Sequence, residues 1–144
     1  MGFKNDLKEG KDYEAIVMGW LNKTFALSMK ENDNKTGVDL VSDNLAIEVK
    51  YDRQFRTTWN LFIEYLCSWK PSGIFKDDDT KLFIYGDLTS AYIFDIEILR
   101  EFTNASLSSK EYRLVKGWDW WRVSWLLLPI DKAISISEGE IFFK

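Results

Sequence analysis

The sequence predicts an α/β fold, with a central mixed β-sheet flanked by helices, and three observations carry that expectation. From Lys11 to about Ser28, the residues Tyr13, Ile16, Val17, Trp20, Leu21, Phe25 and Leu27 recur mostly at three- and four-residue spacing, the stripe of an amphipathic helix. Next, two short β-favouring runs, Gly37 to Val41 and Leu45 to Lys50, flank the turn formers Ser42-Asp43-Asn44 and read as a hairpin. Finally, the β-rich runs Lys81 to Gly86 and Ala91 to Phe94 lead into a helix that Asp95 can cap.

Composition narrows the chemistry. The chain has 144 residues, 46% of them hydrophobic, which suits one domain with a substantial core, residues 1–144. It has no histidine and one cysteine, Cys67. That excludes an intrachain disulfide, a Cys/His metal site and every Ser-His or Cys-His nucleophile arrangement. A bound metal would therefore be a hard cation held by oxygen. The net charge of −4 argues against a generic nucleic-acid coat protein but leaves room for a local basic patch beside an acidic metal site. Met1 to Lys11 lacks the apolar core of a signal peptide, Asp6 stands where myristoylation expects Ser or Thr, and the apolar run Trp125 to Ile130 is too short to cross a bilayer. The expectation is a cytoplasmic protein with no membrane partner.

The remaining elements follow in order. Lys30 to Thr36 is a polar loop, and Tyr51 to Trp59 an irregular segment carrying Arg53 and Arg56. These arginines suit either phosphate contacts or a wet loop. Asn60 to Cys67 reads as a strand, expected to pair with the one carrying Glu48. Lys70 to Ile74 breaks the chain, and Phe75 to Thr80 reads as a short acidic helical turn. Ser106 to Lys116 reads as a loop with one extended piece, Trp125 to Ile130 as a strand and Asp131 to Ile134 as a helical turn. Gly117 to Trp125 holds four tryptophans, Trp118, Trp120, Trp121 and Trp125. They suit core packing, stacking on unpaired bases or an interface.

The hairpin carries the chemistry. Side chains alternate along a strand, so Glu48 and Lys50 share one face while Ile47 and Val49 share the other. If the hairpin closes, Asp39 reaches the same spot. Two readings fit three such charges: a solvated face, or a convergent site that a metal cation or a substrate phosphate compensates. Glu14, near the apolar stripe of the first helix, is either a first-turn acid favoured by the helix dipole or a contributor to that site.

The segments Gly37-Val38-Asp39-Leu40 and Ile47-Glu48-Val49-Lys50 resemble the signature of the PD-(D/E)XK nuclease superfamily, the restriction-endonuclease-like fold. The runs Asn60-Leu61-Phe62-Ile63-Glu64-Tyr65, Lys70-Pro71-Ser72-Gly73-Ile74 and Ala91-Tyr92-Ile93-Phe94, with the strand ending in Leu128-Pro129, are similar to small, mostly phage-encoded members. Val38 departs from the family's proline, a change the superfamily tolerates. The resemblance implies a DNA endonuclease, and a host-cytoplasmic one if phage-encoded. Asp39 and Glu48 would bind Mg2+ (or Mn2+), and Lys50 would serve the attacking water. Glu14 matches the helix acid of members that include the archaeal Holliday-junction resolvases, whence the sharper expectation of selectivity for branched DNA. Glu64 resembles the acid after the third strand in phage members, with Asn60 on its face; a strand-end surface charge explains Glu64 as well. A homodimer is implied, because two strands need two cuts. Other classes remain open: a non-catalytic module of the same fold binding a protein or nucleic-acid partner, and an RNA-directed nuclease.

Overall fold

The computed structural model describes residues 3–32, 38–117 and 122–143, with side chains from Lys8 onward. Gly37 and the tryptophans Trp118, Trp120 and Trp121 therefore lie outside the described residues. In chain order the elements are α1 (Phe3–Phe25), β1 (Lys30–Glu31), β2 (Leu40–Val41), β3 (Ala46–Tyr51), α2 (Phe55–Thr58), β4 (Asn60–Cys67) and β5 (Lys70–Pro71). A 3-10 turn (Gly73–Phe75) follows, then β6 (Leu82–Gly86), β7 (Ser90–Asp95), α3 (Ile96–Ser109), β8 (Leu114–Lys116), β9 (Val123–Pro129), α4 (Ile130–Ile136) and β10 (Gly139–Phe142). The result is α/β, a mixed sheet with flanking helices. No described helix is long and apolar enough to cross a membrane.

The main sheet runs β1-β2-β3-β6-β7-β10, and only the β3–β6 pairing is parallel. A parallel pair needs a crossover. Here the crossover is a second sheet: the chain leaves β3, builds α2, β4 and β5, and returns as β6. That second sheet runs β5-β4-β9-β8 and is antiparallel throughout.

This corrects the expected partner of Asn60 to Cys67. The segment is a strand, but β4 pairs with β5 and β9, not with the strand carrying Glu48. The reason is packing. Leu61 and Ile63 alternate onto one face of β4, and Leu126 and Leu128 onto the same face of β9, so the pair delivers four fully buried side chains to one core. At about 1.5–3 kcal/mol for each buried aliphatic side chain, that pairing outweighs an edge position on the first sheet. Other differences are local. The first helix begins well before Lys11, Tyr51 to Trp59 contains the single turn α2, and the helix after Asp95 extends through Ser106 to Ser109.

Two cores result, one on each face of the main sheet. On one face Tyr13, Val17 and Leu21 of α1 pack with Ile47 and Val49 of β3 and Ile84 of β6. On the other, Phe83 and Tyr85 of β6 pack with Leu61, Ile63, Leu126 and Leu128 of the second sheet. Parallel register sets Glu48 beside Phe83 and Lys50 beside Tyr85, so both charges project on the side facing the second sheet.

Tyr85 ties the two sheets together. Its hydroxyl accepts from the Phe62 N–H at 3.0 Å and donates to the Asp52 carboxylate. Burial, reinforced by that carboxylate, holds its phenol above the ordinary tyrosine range.

Gly73 fixes the return path. It has φ of 57°, and a Cβ there would lie 2.2 Å from the Glu64 carbonyl oxygen. Only glycine permits this close seat of the 3-10 turn on β4. The turn is held from the other side by Arg100 of α3, which donates to the carbonyls of Ile74, at 2.6 Å, and Lys76, at 3.2 Å.

Candidate active site

The β2–β3 hairpin closes as the turn residues require, with the Ser42 N–H donating to the Leu45 carbonyl at 2.8 Å. Its register pairs Leu40 with Ile47 and Val41 with Ala46, and Asp39, just before β2, bonds to Ile47 and Val49, the residues on either side of Glu48. Asp39 is held there by backbone. Its N–H donates to the Ile47 carbonyl at 3.1 Å, its carbonyl accepts from the Asn32 N–H at 2.9 Å, and its Oδ2 accepts from the Val49 N–H at 2.8 Å. The last bond orients the carboxylate across β3 and leaves Oδ1 for another partner.

Glu48 is under-satisfied. Its Oε2 is 3.7 Å from the Lys76 ammonium, while Oε1 is buried with no hydrogen-bond partner among the described residues. Burial, then the Asp39 charge, pushes the Glu48 carboxyl up to about 7, against an opposing pull from Lys76. Asp39 is raised in turn by burial, opposed by the Val49 N–H and by Lys11, Lys76 and Lys50. Glu14, a buried residue of α1, is raised by burial and by Asp39, and is partly relieved by Lys11, whose ammonium is 3.3 Å from Oε1. The three acids expected from the sequence thus share one electrostatic neighbourhood.

Lys50 is exposed, on the Glu48 side of β3, and lines a cleft of about 560 Å³ with Tyr51, Asp52, Arg53, Phe62 and Trp125. Arg53 reaches across the mouth to Glu9 of α1, with Nη1 3.0 Å from both carboxylate oxygens. Arg56 is differently engaged. It donates from Nε to Asp87 at 2.8 Å and from Nη2 to the Ser90 hydroxyl, and its guanidinium lies 5.0 Å from the Phe55 ring centre. It serves the β6–β7 turn. Glu64 and Asn60 lie on the face of β4 that also carries Phe62. Asn60 donates to the Thr58 carbonyl at 3.0 Å, and among the described residues no hydrogen bond or ion pair joins either to Asp39 or Glu48. Trp125 meets Phe62 edge-to-face at 6.3 Å.

Two members of the neighbourhood had no sequence signal of their own. Lys76 and Asp78 come from the loop that Gly73 and Arg100 anchor. Asp78 accepts from the Thr80 N–H through Oδ1 at 3.1 Å, its Oδ2 is buried without a partner among the described residues, and its charge helps to raise Glu48. The run Asp77-Asp78-Asp79 falls in the expected acidic helical turn Phe75 to Thr80, but the helical turn is Gly73–Phe75 and the three acids follow it in a loop, which only the return from the second sheet brings to β3. Lys11, by contrast, was legible as the residue three before Glu14 on one helix.

Whether these residues suit a cation is a question of donors. The carboxylate donors are oxygens, as a hard ion requires, and the Glu48 Oε1 lacks a partner among the described residues. As the side chains stand, no group of three Asp, Glu or Cys among the described residues could hold a metal ion. Magnesium keeps several of its waters and needs only one or two carboxylates, so the Asp39–Glu48 pair fits it. No family model, curated protein or solved structure matches this chain.

Proposed function

We propose that this chain is a restriction-endonuclease-like, magnesium-dependent DNA endonuclease that hydrolyses phosphodiester bonds, with Asp39, Glu48 and Lys50 as its working residues. The observation that carries the reading is Asp39 bonded across the hairpin to Ile47 and Val49, on either side of Glu48, with one Glu48 oxygen buried and without a partner among the described residues and Lys50 on the Glu48 face of the same strand. A buried carboxylate without a donor is costly, and a cation is the partner that would remove the cost.

In this reading Asp39 and Glu48 would hold Mg2+ or Mn2+, with Glu14 completing the acidic shell. Bound there, the ion would lower the pKa of a coordinated water and offset charge on the phosphoryl oxygens. Lys50 is exposed to the cleft, where its ammonium can orient the attacking water and oppose the negative charge of the transition state. Lys76 lowers the repulsion between Glu48 and Asp39 at rest. Arg53, at the mouth of the cleft, can exchange its exposed Glu9 partner for a phosphate at small cost. Arg56 supports the fold instead.

The test is cleavage of a panel of duplex, single-stranded, flapped and four-way DNA, with an RNA duplex alongside, in magnesium and in EDTA. Metal-dependent products are expected, lost in Asp39→Asn, Glu48→Gln and Lys50→Ala with native circular dichroism. A Lys50→Ala enzyme as fast as wild type would remove the catalytic assignment. Equal rates on junctions and plain duplex would remove the selectivity for branched DNA.

A further inference from the structure

The β4–β5 hairpin turns through Ser68 and Trp69, both left-handed, at φ of 51° and 69°. Left-handed residues suit the twist of a two-residue hairpin turn, but the usual choice is Asn-Gly or Asp-Gly. An indole in that position is uncommon. It is also held out in solvent, with Trp69 66% exposed.

Two cations of the same sheet, Lys116 from the far edge and Arg122 from just before β9, approach its ring. The Lys116 ammonium, at the end of β8, is 5.7 Å from the ring centre, and the Arg122 guanidinium is 5.6 Å from it. Register sets Lys116 opposite Ser124 and Ser124 opposite Leu66, and these three line a groove of about 220 Å³ with Trp69, Gly117 and Arg122. Among the described residues neither Lys116 nor Arg122 forms an ion pair with a carboxylate.

We infer that this groove binds a single-stranded stretch of DNA, with an unpaired base stacked on Trp69 and its flanking phosphates held by Lys116 and Arg122. A planar base can stack on an indole that is 66% exposed, exchanging the ring contacts of Lys116 and Arg122 for contacts between those cations and its two flanking phosphates. Bases inside a duplex are already stacked and cannot offer that face. An acidic peptide would satisfy the cations but not the ring. Trp69 lies seven residues along the chain from Phe62, which lines the cleft beside Lys50, so the two are at most about 23 Å apart at roughly 3.3 Å per residue. The groove can therefore hold the unpaired arm of a substrate whose scissile region lies in the cleft. The choice of DNA rests on the nuclease reading above; binding in the groove does not require cleavage.

The experiment is fluorescence anisotropy of the full chain in EDTA, with a labelled 15-nucleotide oligo(dT) and a labelled blunt 15-base-pair hairpin. Trp69→Ala is expected to weaken oligo(dT) binding about ten-fold and hairpin binding less than two-fold, and Trp69→Phe to retain most of it. Joint Lys116→Gln and Arg122→Gln substitution should lower the slope of log K against log salt by about 1.4. The inference is overturned if wild type does not bind oligo(dT), or if Trp69→Ala binds it within two-fold of wild type. Equal losses on both DNAs, or displacement by polyglutamate as effective as by unlabelled oligo(dT), overturn it too. Oligo(dT) binding that depends on Trp69 in a protein with no metal-dependent cleavage would keep the groove and remove the nuclease. Cleavage with no Trp69 effect would do the reverse.

Discussion

A buried acid and a half-buried one stand beside neighbouring hairpins of the same sheet and are treated in opposite ways. Asp87, at the β6–β7 turn, is 8% exposed and fully answered: Oδ2 accepts from Arg56 Nε at 2.8 Å, and Oδ1 accepts from the N–H groups of Thr89 and Ser90 at 2.9 and 3.1 Å. Glu48, on β3, has one lysine at 3.7 Å and a buried oxygen with no hydrogen-bond partner among the described residues. A fold that can satisfy one buried carboxylate so completely has the means to satisfy another. The difference fits a structural role for Asp87 and, in the nuclease reading, a partner for Glu48 that comes from outside the chain.

The largest effect that could break this comparison is on activity. Glu48→Gln should lower magnesium-dependent DNA cleavage by about 10²- to 10³-fold. Asp87→Asn, compared per folded molecule, should change it less than two-fold. Equal losses would erase the distinction between the two acids.

Stability should respond in the opposite sense. Asp87→Ala strands the Arg56 guanidinium and two backbone N–H groups, and urea unfolding should show a loss of about 2–4 kcal/mol. A loss within about 0.5 kcal/mol would place Asp87 among ordinary surface acids.

A third effect depends on pH. The Glu48 carboxyl is raised from an ordinary value of 4.5 to about 7, so between those values the folded state keeps a proton that the unfolded chain has released. Stability therefore falls as pH rises through that window and stays lower above it. Raised values at Asp39 and Glu14 act in the same direction. In metal-free buffer Glu48→Gln should match wild type at pH 4 and exceed it by about 1–3 kcal/mol at pH 8. A glutamine variant less stable than wild type at pH 8 would mean that Glu48 is answered inside the fold after all.

The smallest effect is at the mouth of the cleft. Arg53 and Glu9 form a half-exposed pair, and Arg53→Gln should cost less than about 1 kcal/mol of stability. In the nuclease reading the same change should lower the salt slope of duplex binding by about 0.9, one phosphate contact.

What the sequence disclosed follows the range of the forces involved. The Ser42 to Asn44 turn, the Glu48 and Lys50 face and the Asp95 cap are short-range features, and closing that hairpin bonds Asp39 to Ile47 and Val49 of β3. The partner of β4 was not legible, because β9 begins 63 positions after β4 does and periodicity says which face is apolar without naming the strand beside it. Lys76 and Asp78 were hidden for the same reason: they reach β3 only because the chain returns from the second sheet over Gly73. Arg56 looked like a phosphate ligand because its acid, Asp87, is 31 residues away. β1 and β10 escaped notice because two and four residues are too short for a pattern.

The central claim is that Asp39 and Glu48 together await a divalent cation, and calorimetric titration of Mg2+ or Mn2+ into the metal-free chain at pH 8 tests it directly. The account predicts binding by wild type, a large loss in both Asp39→Asn and Glu48→Gln, and no change in Asp87→Asn. Binding that survives unaltered in Asp39→Asn and Glu48→Gln, or no binding to wild type at millimolar metal, would contradict it.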